Sequence, residues 1–599
     1  MKDDILIERA LFDVFGLDAP DAAILETIRA ELTVNQLRAG DVLMREGDPS
    51  DALFILLRGR LIVSLGAGEG ETFIGEIRQG ETIGETGLVM QTPRNATVRA
   101  SRASTVARIG AESFDRVLGQ YPQLSLAIAR TLITRETRNS GPRHPGYVPE
   151  TLCLVAVTPG VDLRALADGL AARYDAPVTI VEQSADIAAG RHAIHKGERD
   201  TDLVIVLAGR ADSDWARMAV AEADELVRVA DAGADPAPHP EEATLDRAEG
   251  VLPRQTLLLI HPDDTRSPTG TADWLAMRRL DRHLHMRPGH AEDQGRVARI
   301  LTGRAVGLVL AGGGARGAAH LGAIRALAEA GIVPDMVGGT SIGAAMAAWY
   351  AMGLRGADLE QAARKVFVDS SGPTNDWNLL PMISLVKGRK TRDLGQRAIR
   401  EATGGDIGIE DTWTPFFCVS ANYTTQMQTV LRAGPLWRAL TATYAIPGVL
   451  PPVPMNGGLH VDGGVVNNLP VDVMEQSGAA RTVAVDLLGP PNRALELEDL
   501  PSNFALLIDR LRGRRKRKYR VPGLVSILLN STVLSSLERQ REMRARADLC
   551  LRPELMRIGL LDWGKFNVAI EQGYASVAQQ LEAAGEAALT PLRTVPRRS

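Results

Sequence analysis

The sequence predicts a multidomain α/β protein: an N-terminal β-jelly-roll domain, a middle α/β domain and a larger C-terminal α/β domain. The chain has 599 residues, enough for about three to five domains at roughly 150 residues each. The first 140 residues are rich in short apolar runs between glycines, and the rest alternates buried strands with helical patterns. The composition, 45% hydrophobic and 24% charged, excludes wholly disordered, collagen-like and fibrous proteins.

Charge and cysteine content restrict the class of partner and compartment. Lys+Arg 68 minus Asp+Glu 73 gives a net charge of −5, so bulk charge does not favour nucleic acid. Cys153, Cys418 and Cys550 have no metal-ligand spacing and cannot form a disulfide framework, which indicates a reducing compartment. The N-terminus lacks signal-peptide features, and the nearest transmembrane candidate, 336–354, holds too many Gly, Ser and Thr residues. We expect a cytoplasmic protein, with membrane association at most peripheral.

Residues 1–140 are expected to form the jelly roll together with flanking helices. Apolar runs at 42–44, 53–57, 61–65 and 72–74 are separated by glycine turns, a pattern typical of a small barrel or jelly roll. From 113 to 138 the apolar period is helical, and the Pro/Gly-bearing stretch 139–147 is the expected linker.

Residues 148–296 are expected to form an α/β domain of unknown role. Buried parallel strands are predicted at 152–157, 178–181, 203–207 and 256–260, with a helix at 216–230 and a surface loop at 236–242. The stretch carries neither a Walker-type phosphate loop nor a catalytic constellation. His283 and His285 lack Cys or carboxylate neighbours at ligand spacing, so we interpret them as structural histidines and expect no metal.

Residues 297–599 are expected to be the catalytic domain with a C-terminal helical extension. A predicted strand at 305–310 runs into a glycine-rich turn and a helix; the turn contains Gly312, Gly313, Gly314, Arg316 and Gly317. Backbone N–H groups at such a turn favour a phosphate or a developing oxyanion. The GxGxxG spacing alone also fits a dinucleotide fingerprint, with Asp335 as the ribose acid, or a purely structural turn.

The next predicted strand ends in a GxSxG motif formed by Gly339, Ser341 and Gly343. Between a strand and a helix of small residues, this motif is a nucleophile elbow, which projects the serine hydroxyl from a sharp turn. A helix N-cap serine is the alternative. Because the motif follows a glycine-rich loop suited to an oxyanion, we interpret Ser341 as a nucleophile.

A serine nucleophile needs a base, and the sequence offers two candidates. His460, the one histidine after Ser341, lies two residues before Asp462, which opens the motif Asp462-Gly463-Gly464. A histidine and its orienting aspartate can hardly come from positions i and i+2 of one short segment. We therefore favour a Ser341–Asp462 dyad; a simple turn at the DGG motif and His460 as the base are the alternatives.

GGGARG, GTSIG and DGG, in this order, resemble the patatin-like phospholipase family. Longer stretches resemble its neuropathy target esterase branch over most of residues 270–580: WLAMRRLDRHLHMR, VARILTGRAVGLVLAGGGARGAAHLG, DMVGGTSIGA, SLVKGR, HVDGGVVNNLPVDV and LDWGKFNVAIEQGYA. The resemblance implies a patatin-like α/β hydrolase that cleaves acyl esters of phospholipids or lysophospholipids without a required cofactor.

The same resemblance implies roles for individual residues. Ser341 would be the nucleophile, Asp462 the proton acceptor, and the backbone N–H groups of Gly312, Gly313 and Gly314 the oxyanion hole. Arg316 either steers the anionic head group or is a helix-surface arginine.

In the N-terminal domain, Gly84 and Glu85 are followed nine positions later by Arg94 and then Asn95. A glutamate and an arginine at this spacing suit a ribose hydroxyl and an anionic phosphodiester. With RAGDVLMREGDPSDALFILLRGRL upstream, the segment resembles a cyclic-nucleotide-binding domain. That implies cAMP or cGMP as an allosteric ligand, with Glu85 on the ribose 2′-OH and Arg94 on the cyclic phosphate. Asn95 departs from the usual alanine or serine, so a barrel that keeps the fold without the ligand is the alternative.

Two stretches are candidates for lipid contact. Residues 510–520 hold eight basic residues in eleven and precede an apolar run at 521–529, a combination that suits an anionic membrane surface. A solvated loop is the alternative, and nucleic acid is disfavoured because the only aromatic residue in the basic stretch is Tyr519. The apolar stretch 377–386 is expected to line the acyl channel, to touch lipid or to belong to the core.

The sequence thus favours a serine lipid hydrolase with an N-terminal sensory domain. The alternatives are a cyclic-nucleotide-responsive binding or scaffold protein, and an acyltransferase that uses the same dyad. A dinucleotide-dependent enzyme is disfavoured by GTSIG and DGG.

Overall fold

Four β-sheets organise the chain in a computed structural model. It describes residues 27, 29–38, 40–66, 72–77, 81–121, 148–209, 213–240, 242–245, 253–369, 376–487, 499–511, 536–556, 558–560 and 562–594. The chain divides into two units. The first comprises residues 1–144, 148–262 and 274–294, and the second 145–147, 263–273 and 295–599.

The N-terminal part of the first unit consists of two four-stranded antiparallel sheets, as its glycine-separated apolar runs predict. Their strand orders are β1-β8-β3-β6 and β2-β7-β4-β5. The strands are β1 (Leu32–Leu37), β2 (Val42–Met44), β3 (Ala52–Arg58), β4 (Leu61–Leu65), β5 (Thr72–Ile77), β6 (Thr82–Ile83), β7 (Thr97–Ala100) and β8 (Ser104–Gly110). Helices α1 (Glu85–Met90) and α2 (Ala111–Gln120) complete this domain. Phe54, Leu56, Leu61 and Val106 lie in the core that the two sheets share.

The middle part of the first unit is a six-stranded parallel sheet with the order β10-β11-β9-β12-β13-β14. The strands are β9 (Thr151–Ala156), β10 (Val178–Val181), β11 (Leu203–Gly209), β12 (Glu225–Asp231), β13 (Arg254–Ile260) and β14 (Arg282–Met286). The helices are α3 (Leu163–Ala171), α4 (Ile187–Asp200), α5 (Asp214–Glu222) and α6 (Glu242–Leu245). Helices α7 (Thr271–Ala276) and α8 (Ala291–Leu301) each have residues in both units. The sheet's apolar runs are continuous because helices cover both faces of a parallel sheet.

The predicted helix over 216–230 is wrong in its second half. Helix α5 ends at Glu222, and residues Glu225–Asp231 form the buried strand β12 between β9 and β13. Asp224 occupies the break, where its Oδ2 accepts the backbone N–H groups of Glu150 and Thr151 at 2.8 and 3.0 Å. A short buried strand and a buried helix have similar apolar content, so periodicity alone does not separate them. The predicted linker at 139–147 lies outside the described residues.

The second unit is organised by an eight-stranded sheet with the order β19-β20-β17-β16-β15-β21-β22, to which β18 is added beside β17. The strands are β15 (Val306–Leu310), β16 (Met336–Thr340), β17 (Phe416–Asn422), β18 (Met427–Leu431), β19 (Val453–Met455), β20 (Gly458–Asp462), β21 (Arg481–Val485) and β22 (Leu549–Leu551). Strands β15, β16, β17, β21 and β22 are parallel, whereas β18 and β20 run antiparallel to β17.

Helices surround this sheet. They are α9 (Ala319–Glu329), α10 (Ile342–Ala351), α11 (Gly356–Arg364), α12 (Arg389–Thr403), α13 (Leu436–Thr443), α14 (Val471–Gln476), α15 (Asn503–Leu511), α16 (Leu537–Arg546), α17 (Phe566–Ala584) and α18 (Glu586–Leu589). The C-terminal helix α17 packs closely on α9, because a Cβ at Gly322 would lie 2.1 Å from the carbonyl oxygen of Ile570.

The stretch 336–354 is a core segment, as the sequence predicts. It forms β16 and the entirely buried helix α10 at the centre of the second unit. Among the helices that the structure describes, none combines the length and the apolarity needed to cross a bilayer.

Candidate active site

Ser341 lies on a sharp turn between β16 and α10. Its backbone has φ 54° and ψ −124°, a conformation that a residue with a side chain seldom adopts. The strand before it and the helix after it hold this strain, as expected for a nucleophile elbow. The Ser341 N–H donates to Thr443 Oγ1 at 3.0 Å, which anchors the turn to the end of α13.

Glycines allow the elbow to pack against the neighbouring strand. A Cβ at Gly339 would lie 2.4 Å from the carbonyl oxygen of Leu310, and one at Gly343 would lie 2.1 Å from the same oxygen. The two glycines of the GxSxG motif are therefore required by close contact with β15 rather than by a positive φ.

Asp462 and Ser341 form a direct hydrogen bond. Ser341 Oγ donates to Asp462 Oδ2 at 2.7 Å across 121 residues of chain, and both side chains are buried. The other carboxyl oxygen, Oδ1, accepts the Gly464 N–H at 2.8 Å. Burial raises the pKa of the Asp462 carboxyl to about 6, and the two hydrogen bonds only partly oppose this. A carboxylate with that pKa is ionised at neutral pH and basic enough to accept a proton.

The DGG motif brings Asp462 to the end of β20, opposite Ser420 of β17. A Cβ at Gly463 would lie 2.2 Å from the carbonyl oxygen of Val419, so only glycine fits there. The N–H that holds the carboxylate belongs to Gly464, in the turn Gly463–Val465. The motif thus aims the carboxylate at the elbow.

The glycine-rich loop after β15 lies beside Ser341. A Cβ at Gly312 would lie 3.3 Å from Ser341 Cβ, and Gly314 lines the same cavity as Ser341. The Gly312 N–H donates to the Asn468 carbonyl oxygen at 3.3 Å. Gly317, in the turn Gly314–Ala318, packs against Ile342 directly after the serine.

His320 holds the residue that directly precedes this loop, Ala311. It is fully buried, and its Nε2–H donates to the Ala311 carbonyl oxygen at 2.8 Å. Burial lowers the pKa of His320 to about 4, so the ring is neutral at physiological pH. The hydrogen bond fixes the carbonyl that precedes the glycines.

Arg316 and Asp335 both make structural contacts. Arg316 Nε donates to the Ile558 carbonyl oxygen at 3.0 Å, and burial lowers the pKa of its guanidinium. Asp335 is buried and bonded to Arg299 at 2.8 Å and to the Val306 N–H at 3.0 Å. These contacts occupy Asp335, which the dinucleotide interpretation of the glycine loop requires as the acid that binds the ribose.

His460 is hydrogen-bonded to Ser420 rather than to Ser341. Its Nδ1 shares a hydrogen bond of 2.9 Å with Ser420 Oγ on β17, and burial lowers the pKa of its ring. The carboxylate, rather than the imidazole, is the titratable group in contact with Ser341.

An apolar cavity opens beside Ser341. Its lining includes several aromatic rings, among them Trp349, Phe367 and Trp437, and the aliphatic side chains of Ile399 and Leu440. The lining is mostly apolar, with Ser341 among its few polar residues. An alkyl chain with an ester at one end fits this distribution of polarity.

Sequence reasoning missed three supports of the site: Thr443, His320 and the Asn468 carbonyl. Asn468 stands in the NNLP stretch directly after the DGG motif, and His320 follows the glycine loop, so proximity to the motifs could have indicated both. Thr443 lies 102 residues from Ser341 in a segment with no motif, and only the fold brings it there.

The structure describes all four residues of the candidate nucleotide site in the first unit. Gly84, with φ 83°, caps helix α1, which begins with the buried Glu85. Arg94 donates to the carbonyl oxygens of Gly84 at 3.0 Å and Ala52 at 2.7 Å. Asn95, the residue that departs from the usual pattern, directly follows Arg94 and is exposed.

Two other predicted features are the histidine pair His283 and His285 and the membrane segment that contains 512–529. His285 is buried and shares a 2.9 Å hydrogen bond with His261, and the His283 ring contacts the His285 ring edge-on, in keeping with structural roles. Within the described part of the chain, no cluster of three or more potential metal-binding side chains occurs. Residues 512–529 of the predicted membrane segment lie outside the described residues.

Comparison with known protein families identifies three regions of this chain. Residues 308–474 match the patatin-like phospholipase family. Residues 34–121 match the cyclic nucleotide-binding domain, and residues 150–303 match the P-loop-like domain of the neuropathy target esterase family. The three matches follow the jelly roll, the parallel sheet and the larger α/β sheet described above.

Whole-length relatives agree with these regions. An NTE family protein of Mycobacterium tuberculosis is 31% identical over 93% of this chain and 94% of its own length. A patatin-like phospholipase domain-containing protein of Caenorhabditis elegans is 30% identical over 89% of this chain and 45% of its own. Lysophospholipase NTE1 of Mycosarcoma maydis is 28% identical over 93% of this chain and 34% of its own. The chain thus spans less than half the length of these nematode and fungal relatives.

Proposed function

The chain belongs to the neuropathy target esterase family of patatin-like phospholipases, and from this membership we propose that it hydrolyses acyl esters of phospholipids or lysophospholipids. The observation that carries the proposal is the 2.7 Å hydrogen bond between Ser341 Oγ and Asp462 Oδ2 at the mouth of an apolar cavity. The name of the fungal relative, a lysophospholipase, supports the substrate class.

In the first half-reaction, Asp462 takes the proton from Ser341 Oγ as the oxygen attacks the acyl carbonyl carbon. The carboxylate is suited to this step because its pKa, raised by burial to about 6, keeps it ionised at pH 7 yet basic. Collapse of the tetrahedral intermediate breaks the bond to the alcohol oxygen, which receives the proton from Asp462. The acyl group remains on Ser341 as an ester.

In the second half-reaction, water enters and loses a proton to Asp462 as its oxygen attacks the acyl-enzyme. The fatty acid leaves, and Ser341 recovers its proton. Ester and water are thereby converted into fatty acid and alcohol with no group left over.

The oxyanion of each tetrahedral intermediate needs donors on the glycine loop. We assign this role to the N–H groups of Gly313 and Gly314, since the Gly312 N–H donates to the Asn468 carbonyl. A donor of this kind typically contributes about 2.7–4 kcal/mol to the transition state. The Gly312 contact then serves to hold the loop in position beside Ser341.

The apolar cavity sets the substrate class. Its aromatic and aliphatic lining leaves no charged partner for a head group, so the acyl chain enters and the head group stays outside. The cavity lining is consistent with an acyl chain bound next to Ser341.

The test is release of fatty acid from lysophosphatidylcholine by the full chain and its dyad variants. Ser341→Ala and Asp462→Asn should each lower kcat by about 10⁴-fold or more, and the double variant should be no slower, because the two groups act as a unit. His460→Asn is the matched control and should retain most of the activity. Near wild-type release by Ser341→Ala would contradict the nucleophile assignment, and loss of activity in His460→Asn would restore the imidazole as the base.

The acyl-enzyme also allows acyl transfer to an alcohol, since water and an acceptor compete for one intermediate. Adding glycerol to the same assay separates the two outcomes. Free fatty acid as the main product supports hydrolysis, whereas an acylglycerol product in its place would indicate a transferase.

We further propose that the N-terminal domain binds a cyclic nucleotide. Arg94 donates to the carbonyl oxygen of Gly84, which directly precedes Glu85, and the charges of Asp51 and Glu85 both act on the Arg94 guanidinium. A buried arginine beside a short helix N-terminus suits a phosphodiester, and the adjacent carboxylate suits a ribose hydroxyl.

A further inference from the structure

A loop of the second unit exposes an unusual row of large apolar side chains. Leu379 is 96% exposed, Met382 89%, Leu380 77%, Ile383 70% and Trp377 57%. Contiguous exposed apolar surface of this kind marks an interaction site in a folded protein. We refer to residues 376–387 as the docking loop and to residues 379–383 as its tip.

The docking loop is held by its own hydrogen bonds. The Asn378 N–H donates to the Leu385 carbonyl oxygen at 2.9 Å, and the Lys387 N–H donates to the Asp376 carbonyl oxygen at 2.8 Å. Ser384 is buried and its hydroxyl donates to the Val386 carbonyl oxygen at 2.7 Å. These contacts fix the base of the loop and present the tip to solvent.

The base of the docking loop contacts residues that line the apolar cavity beside Ser341. The N–H groups of Leu385 and Val386 donate to the carbonyl oxygens of Gly448 and Val449, both at 2.9 Å. Val449 and Leu450 line the cavity, and Val386 packs with them. The apolar surface of the tip and the apolar lining of the cavity are therefore carried by one connected piece of structure.

Basic residues follow the docking loop directly in sequence. Exposed basic residues at the loop's end and at the start of α12 are Lys387, Arg389 and Arg392, with Lys390 between them half-buried. The neighbouring carboxylates are Asp376 and Asp393, so the cations are in excess. An apolar tip next to basic residues matches the boundary between the acyl chains and the anionic head groups of a bilayer. Trp377, beside the tip, suits the same interface, because tryptophan side chains are enriched there.

We propose that the docking loop inserts its tip into the surface of an anionic lipid bilayer and holds the cavity mouth at that surface. Two observations favour a bilayer over a protein partner: the excess of positive charge, and the connection of the tip to a cavity suited to an acyl chain. The choice of lipid rests on the proposed hydrolysis, but binding itself requires no catalysis.

Co-sedimentation with vesicles of phosphatidylcholine and phosphatidylglycerol tests binding, using the full chain with Ser341→Ala so that no lipid is consumed. The loop variant carries Leu379→Asp and Met382→Asp. The control carries Tyr423→Asp and Met427→Asp, two side chains that are 71% and 66% exposed where β17 connects to β18. The loop variant should lower the partition coefficient about tenfold or more, whereas the control should stay within about twofold.

Equal vesicle binding by the loop variant and the parent would overturn the proposal. So would a change from dimer to monomer in analytical ultracentrifugation with vesicle binding unchanged, because the tip would then cover a second copy of this chain. Far-UV circular dichroism verifies that both variants are folded, as expected for substitutions at exposed tips.

Activity separates docking from chemistry. With Ser341 intact, the loop variant should hydrolyse lysophosphatidylcholine in vesicles about tenfold more slowly, in proportion to binding, and cleave dissolved p-nitrophenyl butyrate at the parent's rate. Loop-dependent vesicle binding by a chain that cleaves neither ester would uphold docking and refute the proposed hydrolysis. Equal slowing on both esters would overturn docking in favour of damage to the active site.

Discussion

Burial sets the protonation of Asp462, the proposed proton acceptor of the reaction. Its carboxyl accepts hydrogen bonds from Ser341 and Gly464, yet loss of solvent raises its pKa to about 6. The folded protein therefore holds the proton more tightly than the unfolded chain does. The contribution of this group to stability falls as pH rises from about 3.8 to about 6 and stays lost above that range.

The first prediction concerns the pH dependence of the reaction. Because only the ionised carboxylate accepts the Ser341 proton, kcat/KM should rise tenfold per pH unit below about pH 6 and level off above it. The measurement is the pH profile for a dissolved ester, which avoids titration of a lipid surface. His460→Asn should leave the midpoint unchanged. A profile whose midpoint moves with that substitution would assign the titration to the imidazole.

The residues of the dyad were accessible to sequence reasoning because each stands in a motif with a local geometric purpose. GTSIG places Ser341 on a strained turn, and DGG frees the backbone around Asp462. Thr443 and His320 were not accessible, since an ordinary threonine and an ordinary helix histidine acquire their roles only through contacts made by the fold. For the apolar stretch 377–386, which contains the tip of the docking loop, the sequence left three interpretations open: lining of the acyl channel, contact with lipid, or part of the core. An apolar run alone does not show whether its side chains are buried or exposed.

At the scale of elements, the elbow depends on how closely α10 approaches β15. Gly343 lies in the first turn of α10, and a Cβ there would come within 2.1 Å of the Leu310 carbonyl oxygen. The obstacle is backbone on a central strand, which cannot move aside as a flexible side chain can. The turn that holds Ser341 would have to shift instead.

The second prediction follows from that contact. Gly343→Ala should lower kcat by about 100-fold or more, because a displacement of the order of 1 Å at a reacting atom is enough to do so. Gly405→Ala is the matched control, since a Cβ at Gly405 would meet nothing within 4 Å. Ester hydrolysis and melting temperature are measured for both variants. Full activity in Gly343→Ala would show that the elbow tolerates a wider spacing than its geometry indicates.

The elements also show where sequence patterns fail. Strands β2 to β5 of the jelly roll and the strand–loop–helix of the catalytic sheet were predicted because glycines mark their ends. The strand β12 was predicted as helix because the run from α5 continues in apolar residues, and the decisive event is Asp224 turning to cap β9. That interaction joins residues 74 positions apart, so no local window contains it.

At the scale of the whole molecule, the first unit joins its two domains through buried charges. Arg60 and Arg102 of the barrel contact Asp224 of the parallel sheet at 3.4 and 3.5 Å, and all three are nearly inaccessible. Burial alone would raise the pKa of Asp224, but Arg102 and Arg60 hold it below its ordinary value. Arg102 also donates to the Glu222 carbonyl oxygen at 2.8 Å, so the end of α5 is part of the same network.

The third prediction is that this network is required to keep the barrel and the parallel sheet of the first unit packed together. Arg102→Ala removes one of the two cations that contact the buried Asp224 carboxylate, and breaking a buried ion pair typically costs about 3–5 kcal/mol. Amide exchange in strands β8 and β9 of the full chain should then accelerate by at least about 100-fold. Arg108→Ala, on strand β8 and in a partly exposed pair with Asp51, is the control and should change exchange by less than about tenfold. Equal exchange in the two variants would show that the domains are held together by their apolar contacts.

The fourth prediction concerns the ligand of that unit. A ligand that binds only the folded state stabilises it by mass action, by about 2.7 kcal/mol at 100 times its dissociation constant. Saturating cAMP or cGMP should therefore raise the melting temperature of the wild type. Arg94→Lys keeps the positive charge but loses the planar fork that suits a phosphodiester, so the shift should shrink or vanish. Arg116→Lys, on the exposed face of α2, should behave as wild type. Identical shifts in all three proteins would place the nucleotide elsewhere. No shift in any of them would mean that the barrel, with Arg94 already bonded to the carbonyl oxygens of Gly84 and Ala52, keeps the fold without the ligand.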